Sequence, residues 1–270
     1  MQVPKIGIIA GNGLLPISLA ENFVKQGGQC YIAILEDASV QSDLYKNFSH
    51  EFFKIGMVGA IIKYFRKHNV TNLIFAGGVN RPNLRSIKVD LIGSALLACI
   101  LKQKFLGDDK VLTIISNFLI QEGFTIISSY EILNGNNNII TKVIPSSQDI
   151  IDIKLGVQLL NKIGEMDVGQ SVIVEDGYIL GIEAAEGTDN LIKRCTVLRK
   201  NPTGGVLVKM MKNSQNDKID IPTIGLKTIE NLAIYGYKGV SMQQNKVIII
   251  DPQNVCELAN KYNLFISFVV

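Results

Sequence analysis

Histidine is nearly absent from this sequence. Two occur in 270 residues, His50 and His68, and neither stands near the polar segments of the second half. That scarcity argues against a Ser-His-Asp triad, a histidine-rich two-metal phosphoesterase site and a HExxH zinc site. Cysteine is also sparse. Cys30, Cys99, Cys195 and Cys256 lie far apart among apolar neighbours, with no CxxC pair and no metal-finger spacing. The expectation is buried free thiols in a reducing compartment. Excess charge is small: 27 basic against 24 acidic residues leave +3. A nucleic-acid partner wants a concentrated basic face, so none is expected. The densest basic run, Lys63 to His68, reads as the solvated face and end of a helix, where cations complement the helix dipole. No apolar run reaches the roughly 18 residues of a membrane span. The longest candidate, Leu91 to Leu101, reads as a buried helix. Met1 to Lys5 leads into an apolar strand without the features of a signal peptide. The expected location is cytoplasmic, with a lipid substrate or a peripheral membrane contact left open.

What is present is a folded, two-domain composition. Hydrophobic residues make up 47% and charged residues 19%, the balance of a globular chain. The length suits two domains of about 130 residues each. Short apolar runs alternate with helical patterns in the first half. Lys5 to Ala10, Gln29 to Leu35, Asn72 to Ala76 and Phe124 to Ser128 read as strands. Leu14 to Gln26, Ile55 to His68, Val89 to Phe105 and Asp109 to Gln121 read as helices. This alternation predicts right-handed crossovers and a parallel, Rossmann-like sheet over residues 1–132. The polar run Asn134 to Asn138 falls in a linker, 133–148. Residues 149–270 read as a second α/β (α+β) domain. It opens on a helix, Asp149 to Ile163, and continues with a hairpin around Glu175-Asp176-Gly177. Helices at Ile229 to Tyr237 and Pro252 to Tyr262 flank a strand at Lys246 to Ile250.

Two glycine-bearing loops follow strands of the first half. Gly11-Asn12-Gly13 precedes a helix carrying Pro16 in its first turn. Glycine there admits close approach of a phosphate or uridine, and a helix start favours anions. A dinucleotide fingerprint would place a third glycine where Pro16 stands, which weakens a nicotinamide reading. The second loop is Gly77-Gly78-Val79-Asn80-Arg81-Pro82, where Arg81 offers a planar fork to a phosphate. Each loop alone also reads as a tight connection. Two of them at strand ends of one parallel sheet point to a shared nucleotide pocket.

The second half concentrates polar residues in three segments: Asp167 to Ser171, Glu183 to Asp189, and Gly204 to Lys209 continuing through Gln215 to Gly225. Each sets carboxylates, amides or hydroxyls beside glycines at strand ends. Taken singly, each also reads as a polar turn: Glu183 and Glu186 as solvent-facing, Asp189 as a helix cap, Asp220 as an Asx turn. Taken together they suit diphosphate cleavage. Hard oxygen ligands hold Mg²⁺, a carboxylate orients water, and a lysine neutralises developing charge.

These segments resemble a known family. IAGNGLLP, GGVNRP, LGDDK, DVGQSVIVEDGYILGIEAAEGTD, GGVLVKM and DIPTIG are similar, in order and over most of the chain, to blocks of the UDP-2,3-diacylglucosamine pyrophosphatases of lipid A synthesis. The similarity is to the type distinct from the calcineurin-like enzyme. The resemblance implies a UDP-binding Rossmann-like domain, a distinctive second domain and a dimer. It implies Mg²⁺-dependent hydrolysis of UDP-2,3-diacylglucosamine to UMP and 2,3-diacylglucosamine 1-phosphate (lipid X). Carried over position by position, Gly11, Asn12, Gly13, Gly77, Gly78, Arg81 and Asp167 fall to substrate binding. Asp220, Asp189, Lys209, Glu186, Gln170 and Thr188 fall to the reaction centre, with Asp220 and Asp189 as metal ligands. Relatives often read Gln-Asp-x-Arg-x-Asp where this chain has Gln215-Asn216-Asp217-Lys218-Ile219-Asp220, which puts the catalytic expectation on Asp220. Two rival functions stand beside this one. One is a non-catalytic carrier of a UDP-sugar lipid. The other is a nicotinamide oxidoreductase holding a ribose on Glu36 or Asp37.

Overall fold

A computed structural model describes residues 3–36, 42–79, 87–102, 108–133, 139–166, 168–212, 219 and 221–270. The chain divides into two compact units, Met1–Asn134 with Asn216–Asp220, and Gly135–Gln215 with Ile221–Val270.

The first unit is organised by strands with no polar face. β1 (Lys5–Ala10) is buried from Ile6 onward, so its residues do not alternate. β2 (Gln29–Leu35), β3 (Ser49–Phe53), β4 (Asn72–Ala76) and β5 (Thr125–Ile126) join it in a parallel sheet of order β3-β2-β1-β4-β5. Helices α1 (Leu15–Lys25), α2 (Val58–Lys67), α3 (Leu91–Leu101) and α4 (Asp108–Gln121) lie between strands, and α5 (Ser129–Ile132) follows β5. One core gathers Ile61, Ile62 and Phe65 of α2 with Leu73, Leu119 and Phe124; Ile219, from far along the sequence, is buried in the same core. The chain runs outward from β1 to β3 and then returns to place β4 on the other side of β1. This reversal makes the carboxyl ends of β1 and β4 the switch point, where open α/β sheets bind ligands.

The second unit is built on a mixed sheet. Its elements are α6 (Ser147–Ile163), β6 (Ser171–Glu175), β7 (Tyr178–Ile182), α7 (Thr188–Cys195), β8 (Val206–Lys209), β9 (Thr223–Ile224), α8 (Leu226–Ile234), β10 (Gly239–Gln243), β11 (Ile248–Ile249), α9 (Pro252–Lys261) and β12 (Phe265–Val269). The order is β12-β10-β8-β6-β7, with β9 and β11 forming a separate pair. β12, β10 and β8 run parallel, and β6 is antiparallel to both β8 and β7. The side chains of β6 and β8 point alternately to two cores. Val172, Val174, Val206 and Val208 meet Ile153 and Leu160 of α6. Ile173 and Leu207 meet α7, α8 and α9 through Leu191, Ile229 and Val255. α6 comes close because Gly156 lacks a side chain: a Cβ there would lie 2.7 Å from Val208 Cγ2. A reciprocal capping box starts the helix, Ser146 accepting from Asp149 N–H while the Asp149 carboxylate accepts from Ser146 N–H. Burial works to raise the Asp149 carboxyl, but the Ser146 hydroxyl and N–H, with Lys238 Nζ at 3.1 Å, hold it below its usual value.

The parallel sheet, the expected linking of strands by helices, and the Glu-Asp-Gly hairpin are all present. Several expectations need correction. Leu91–Leu101 is not a buried helix. Gly93, Leu96 and Ile100 face inward, while Leu91 is 87% exposed and Ala95, Ala98 and Cys99 are exposed. Its all-apolar composition conceals an ordinary three-to-four residue burial pattern. Cys99 is exposed and Cys256 half-buried; Cys30 and Cys195 are buried as expected. For Cys30, burial pushes the thiol up to about 12, so it stays protonated and inert. The edge strand β3 reads poorly in sequence because most of it is exposed. β10 carries Ser241 in its interior and shows no strand pattern in sequence. Among the described residues no helix is long and apolar enough to cross a membrane.

The β6–β7 turn rests on one buried carboxylate. Asp176 and Gly177 both have positive φ, 49° and 79°, as a two-residue hairpin turn requires. Asp152 of α6, 2% exposed, accepts from Asp176 N–H at 2.9 Å and Gly177 N–H at 2.7 Å. Asp152→Ala removes these charge-assisted bonds. It should lower the unfolding free energy in urea by about 2–3 kcal/mol; a loss below about 0.5 kcal/mol would show that the turn holds without it.

Candidate active site

Strand pairing assembles the polar cluster of the second unit. Ser171 opens β6 and stands opposite Lys209, the last residue of β8. Both therefore project to the face covered by α7. The ladder continues past β7 through Glu183 N–H, which donates to Ser171 C=O at 2.8 Å. After a short turn α7 begins at Thr188, with Gly187 before it at φ 78° and no side-chain cap. Three distant segments thus converge on one point.

The Thr188 hydroxyl is that point. Lys209 Nζ donates to Thr188 Oγ1 at 2.7 Å, and Thr188 Oγ1 donates to Glu183 Oε1 at 2.9 Å. Ser171 Oγ lies 3.3 Å from Thr188 Oγ1. Gln170 N–H donates to the other carboxylate oxygen of Glu183, Oε2, at 3.3 Å. Lys209 is 6% exposed, Glu183 9% and Ser171 0%. Burying an ammonium and a carboxylate is costly unless each finds partners, and such groups concentrate at functional sites.

Two other expected residues lie on the same short stretch but point elsewhere. Glu186 Oε1 accepts from Arg194 Nη2 at 2.8 Å and Nε at 2.9 Å, and its Oε2 accepts from Ala184 N–H at 3.1 Å. A bond from its own backbone N–H, opposed by burial and aided by Arg194, holds its carboxyl below the usual range. Asp189 turns toward α8. It accepts from Asn231 Nδ2 at 3.0 Å and pairs with Lys227 Nζ at 2.8 Å, whose ammonium its hydrogen bond and charge hold above the usual lysine value. The structure therefore brings Gln170, Thr188 and Lys209 together and sets Glu186 and Asp189 in separate ion pairs. Asp167 and Asp220 lie outside the described residues. Glu183 reads in sequence as a solvent-facing turn residue but is buried; that burial depends on strand pairing that the sequence alone does not display.

In the first unit the two glycine loops are one structure. Gly11 N–H donates to Ala76 C=O at 2.8 Å, Asn12 N–H to Gly78 C=O at 2.7 Å, and Gly78 N–H to Asn12 C=O at 3.2 Å. A Cβ on Gly11 would stand 2.4 Å from Gly78 O, and one on Gly77, at φ 84°, 2.3 Å from Asn12 O. The N–H groups of Gly11 and Asn12 are thus spent between the loops and not left free for a phosphate. Gly13, at φ 93°, borders open space, and α1 starts without a side-chain cap, with Pro16 in its first turn. Asn12 Oδ1 is buried with no hydrogen-bond partner among the described residues, an acceptor available to a ligand donor. Arg81 lies outside the described residues, as does Asp37; Glu36 is exposed just beyond β2.

A magnesium ion needs several oxygen ligands around one point. Among the described residues no three acidic, histidine or cysteine side chains converge. Asp189 is committed to Lys227 and Asn231, and Glu183 to Thr188 and Gln170. The described residues therefore do not compose a Mg²⁺ site by themselves.

One glycine locks this cluster. A Cβ on Gly169 would lie 1.9 Å from Glu183 O, so the chain at Gly169 closes on Glu183 only without a side chain. Gly169→Ala should displace Glu183 and destabilise the fold by about 1–3 kcal/mol. A melting temperature equal to that of the parent would refute this close approach.

The comparisons with known proteins agree with this two-unit architecture. The model described as the LpxI N-terminal domain matches residues 5–135, and that of the LpxI C-terminal domain matches residues 136–267. A curated relative from Caulobacter vibrioides, named UDP-2,3-diacylglucosamine pyrophosphatase LpxI, is 30% identical over 272 residues, covering 97% of this chain and 96% of its own. Among solved structures, CobK precorrin-6A reductase aligns over 99% of this chain and 87% of its own at 8% identity and a TM-score of 0.30, a likeness too slight to bear on function. Two domain models in sequence order, with a relative matched nearly end to end, lead to one conclusion: this chain belongs to the LpxI family.

Proposed function

We propose that this chain hydrolyses the diphosphate of UDP-2,3-diacylglucosamine, giving UMP and 2,3-diacylglucosamine 1-phosphate, a step of lipid A biosynthesis. Water adds to one phosphorus, the bridging P–O bond breaks, and two phosphate monoesters leave. Family membership and the relative's name support the reaction. The observation that carries the site is the buried Lys209 ammonium held by Thr188 at the uncapped start of α7. An ammonium and a helix N-terminus both favour anionic oxygens, and charge developing on a diphosphate in a low-dielectric site is stabilised most by groups already in place.

In this reading Lys209 steadies the diphosphate, with Thr188 and Gln170 shaping its surroundings. Asp220 orients the attacking water, and Asp167 contributes to substrate binding. The first unit holds the uridine at the β1–β4 switch point, where Gly11 and Gly77 let the two loops cross closely, Gly13 and Gly78 leave open space beside them, and Asn12 Oδ1 accepts from a nucleoside donor. Arg81 adds a phosphate contact. Mg²⁺ is proposed from the chemistry of the substrate, since a divalent ion neutralises diphosphate oxygens. Asp220 is its proposed ligand; Asp189 joins only by releasing Lys227, an exposed pair whose loss costs less than about 1 kcal/mol. Homodimerisation, a cytoplasmic location and peripheral contact with the inner membrane accompany this proposal.

The test is UMP release from UDP-2,3-diacylglucosamine by purified protein, with Mg²⁺ and with EDTA. Release that EDTA abolishes and Mg²⁺ restores is expected, and Asp220→Ala should remove it. Lys209→Met should lower kcat by about 10²–10³-fold. Binding of substrate by well-folded protein without release of UMP would instead make it a carrier of UDP-sugar lipids.

A further inference from the structure

We infer that Glu183 is a positioning residue of the reaction, one that sets the direction of the Thr188 hydroxyl and through it the place of the Lys209 ammonium. The inference rests on the hydrolytic reading above and adds to it a residue to which no role in the reaction has been assigned.

Hydrogen-bond capacity fixes the order of the three groups. A lysine ammonium carries protons and no lone pair, and an ionised carboxylate carries lone pairs and no proton. A hydroxyl has one proton and two lone pairs. At Thr188 Oγ1 the contact with Lys209 Nζ, 2.7 Å, therefore consumes a lone pair. The hydroxyl proton must go elsewhere, and Glu183 Oε1 at 2.9 Å takes it. The chain runs one way only, from Lys209 to Thr188 to Glu183. An ionised Glu183 admits no reversal, so Thr188 always offers a lone pair to the ammonium. The other oxygen of Glu183 is held by Gln170 N–H at 3.3 Å, and Gly169 leaves no room between the Gln170 segment and the Glu183 backbone. Glu183 thus ties Gly169 and Gln170, the start of α7 and the end of β8 into one arrangement. Both ends of the chain are nine-tenths buried or more. Water is a poor substitute there, so the network tolerates little slack.

Glu183→Gln keeps the shape and removes the constraint. Gln170 N–H keeps the amide oxygen, so the amide N–H faces Thr188. The hydroxyl proton loses its carboxylate acceptor and is left to Ser171 Oγ at 3.3 Å, and Thr188 then shares its lone pairs between two donors, which loosens its hold on the ammonium. Kinetics of UMP release by the full-length protein decide the matter. Glu183→Gln should lower kcat by about 10–100-fold while KM moves by less than about threefold. Its melting temperature should stay within about 4 °C of the parent. Thr188→Val, which deletes the hydroxyl, should lose as much. Thr188→Ser, which restores it, should recover at least about tenfold over Thr188→Val. The double variant Glu183→Gln with Thr188→Val should be no worse than either single change, since both cut one chain.

Parental kcat in Glu183→Gln, or full additivity in the double variant, overturns the inference and leaves the hydrolytic reading standing. If Glu183→Gln does not fold, the Thr188 pair decides alone: equal kcat in Thr188→Val and Thr188→Ser overturns it. No UMP release from the folded parent protein removes the hydrolytic reading, and this inference with it.

Discussion

A buried ammonium and a buried carboxylate share one hydroxyl, and the second unit is arranged to make that sharing possible. Lys209 and Glu183 would each be expensive to hide alone. Joined through Thr188, with a further bond from Gln170 N–H, each charge has a fixed partner. The cost of burial is then offset by bonds that charge makes strong. Nothing in this arrangement is the best route to stability, since well-packed apolar residues commonly serve as well or better than a buried ionic group. Its retention in a core otherwise lined by Ile173, Leu207 and Leu191 points to chemistry.

The sheet explains how such a cluster forms without long loops. β6 is antiparallel to β8, so the first residue of one faces the last residue of the other. Ser171 and Lys209 share a face by the period of the strand, and α7 lies on that face. The other face is reserved for α6, which approaches closely over Gly156 and sends Asp152 to the hairpin turn. One helix therefore secures the frame while another brings Thr188 to Lys209. Glu186 and Asp189 occupy the remaining sides of the same α7 start and spend their charges on Arg194 and Lys227. Of the polar residues at that start, the division leaves Thr188 to meet Lys209.

Much of this is readable from sequence where the signal is local. The apolar runs Lys5 to Ala10 and Asn72 to Ala76 declare covered strands, and Asp176-Gly177 declares its own turn. β3 and β10 escape notice because an exposed edge strand and a strand with an inner serine lack the expected pattern. Leu91–Leu101 misleads in the opposite sense, since an all-apolar helix gives no sign of which side is buried. The site divides in the same way. Thr188 and Lys209 are visible as polar residues beside glycines. That Glu183 turns inward and Glu186 outward is decided by pairing with Ser171 and by the presence of Arg194, both non-local facts.

Glycine links the two kinds of legibility. The blocks by which the chain resembles its family are rich in it, and the reason is steric. Gly11 and Gly77 cross where any Cβ would stand within 2.4 Å of the opposite carbonyl oxygen, and Gly169 meets Glu183 O where a Cβ would stand at 1.9 Å. No side chain larger than hydrogen fits at these three places without moving backbone. A charged group admits substitution wherever another residue supplies the same hydrogen bond. A backbone crossing admits none. The glycines therefore mark the approach of one segment to another, and a polar residue that adjoins such a crossing in sequence inherits its fixed position. Gln170 adjoins Gly169, and Asn12 adjoins Gly11. On this argument the residues next to the crossings, more than the most acidic stretches, are where the function of the chain is held in place.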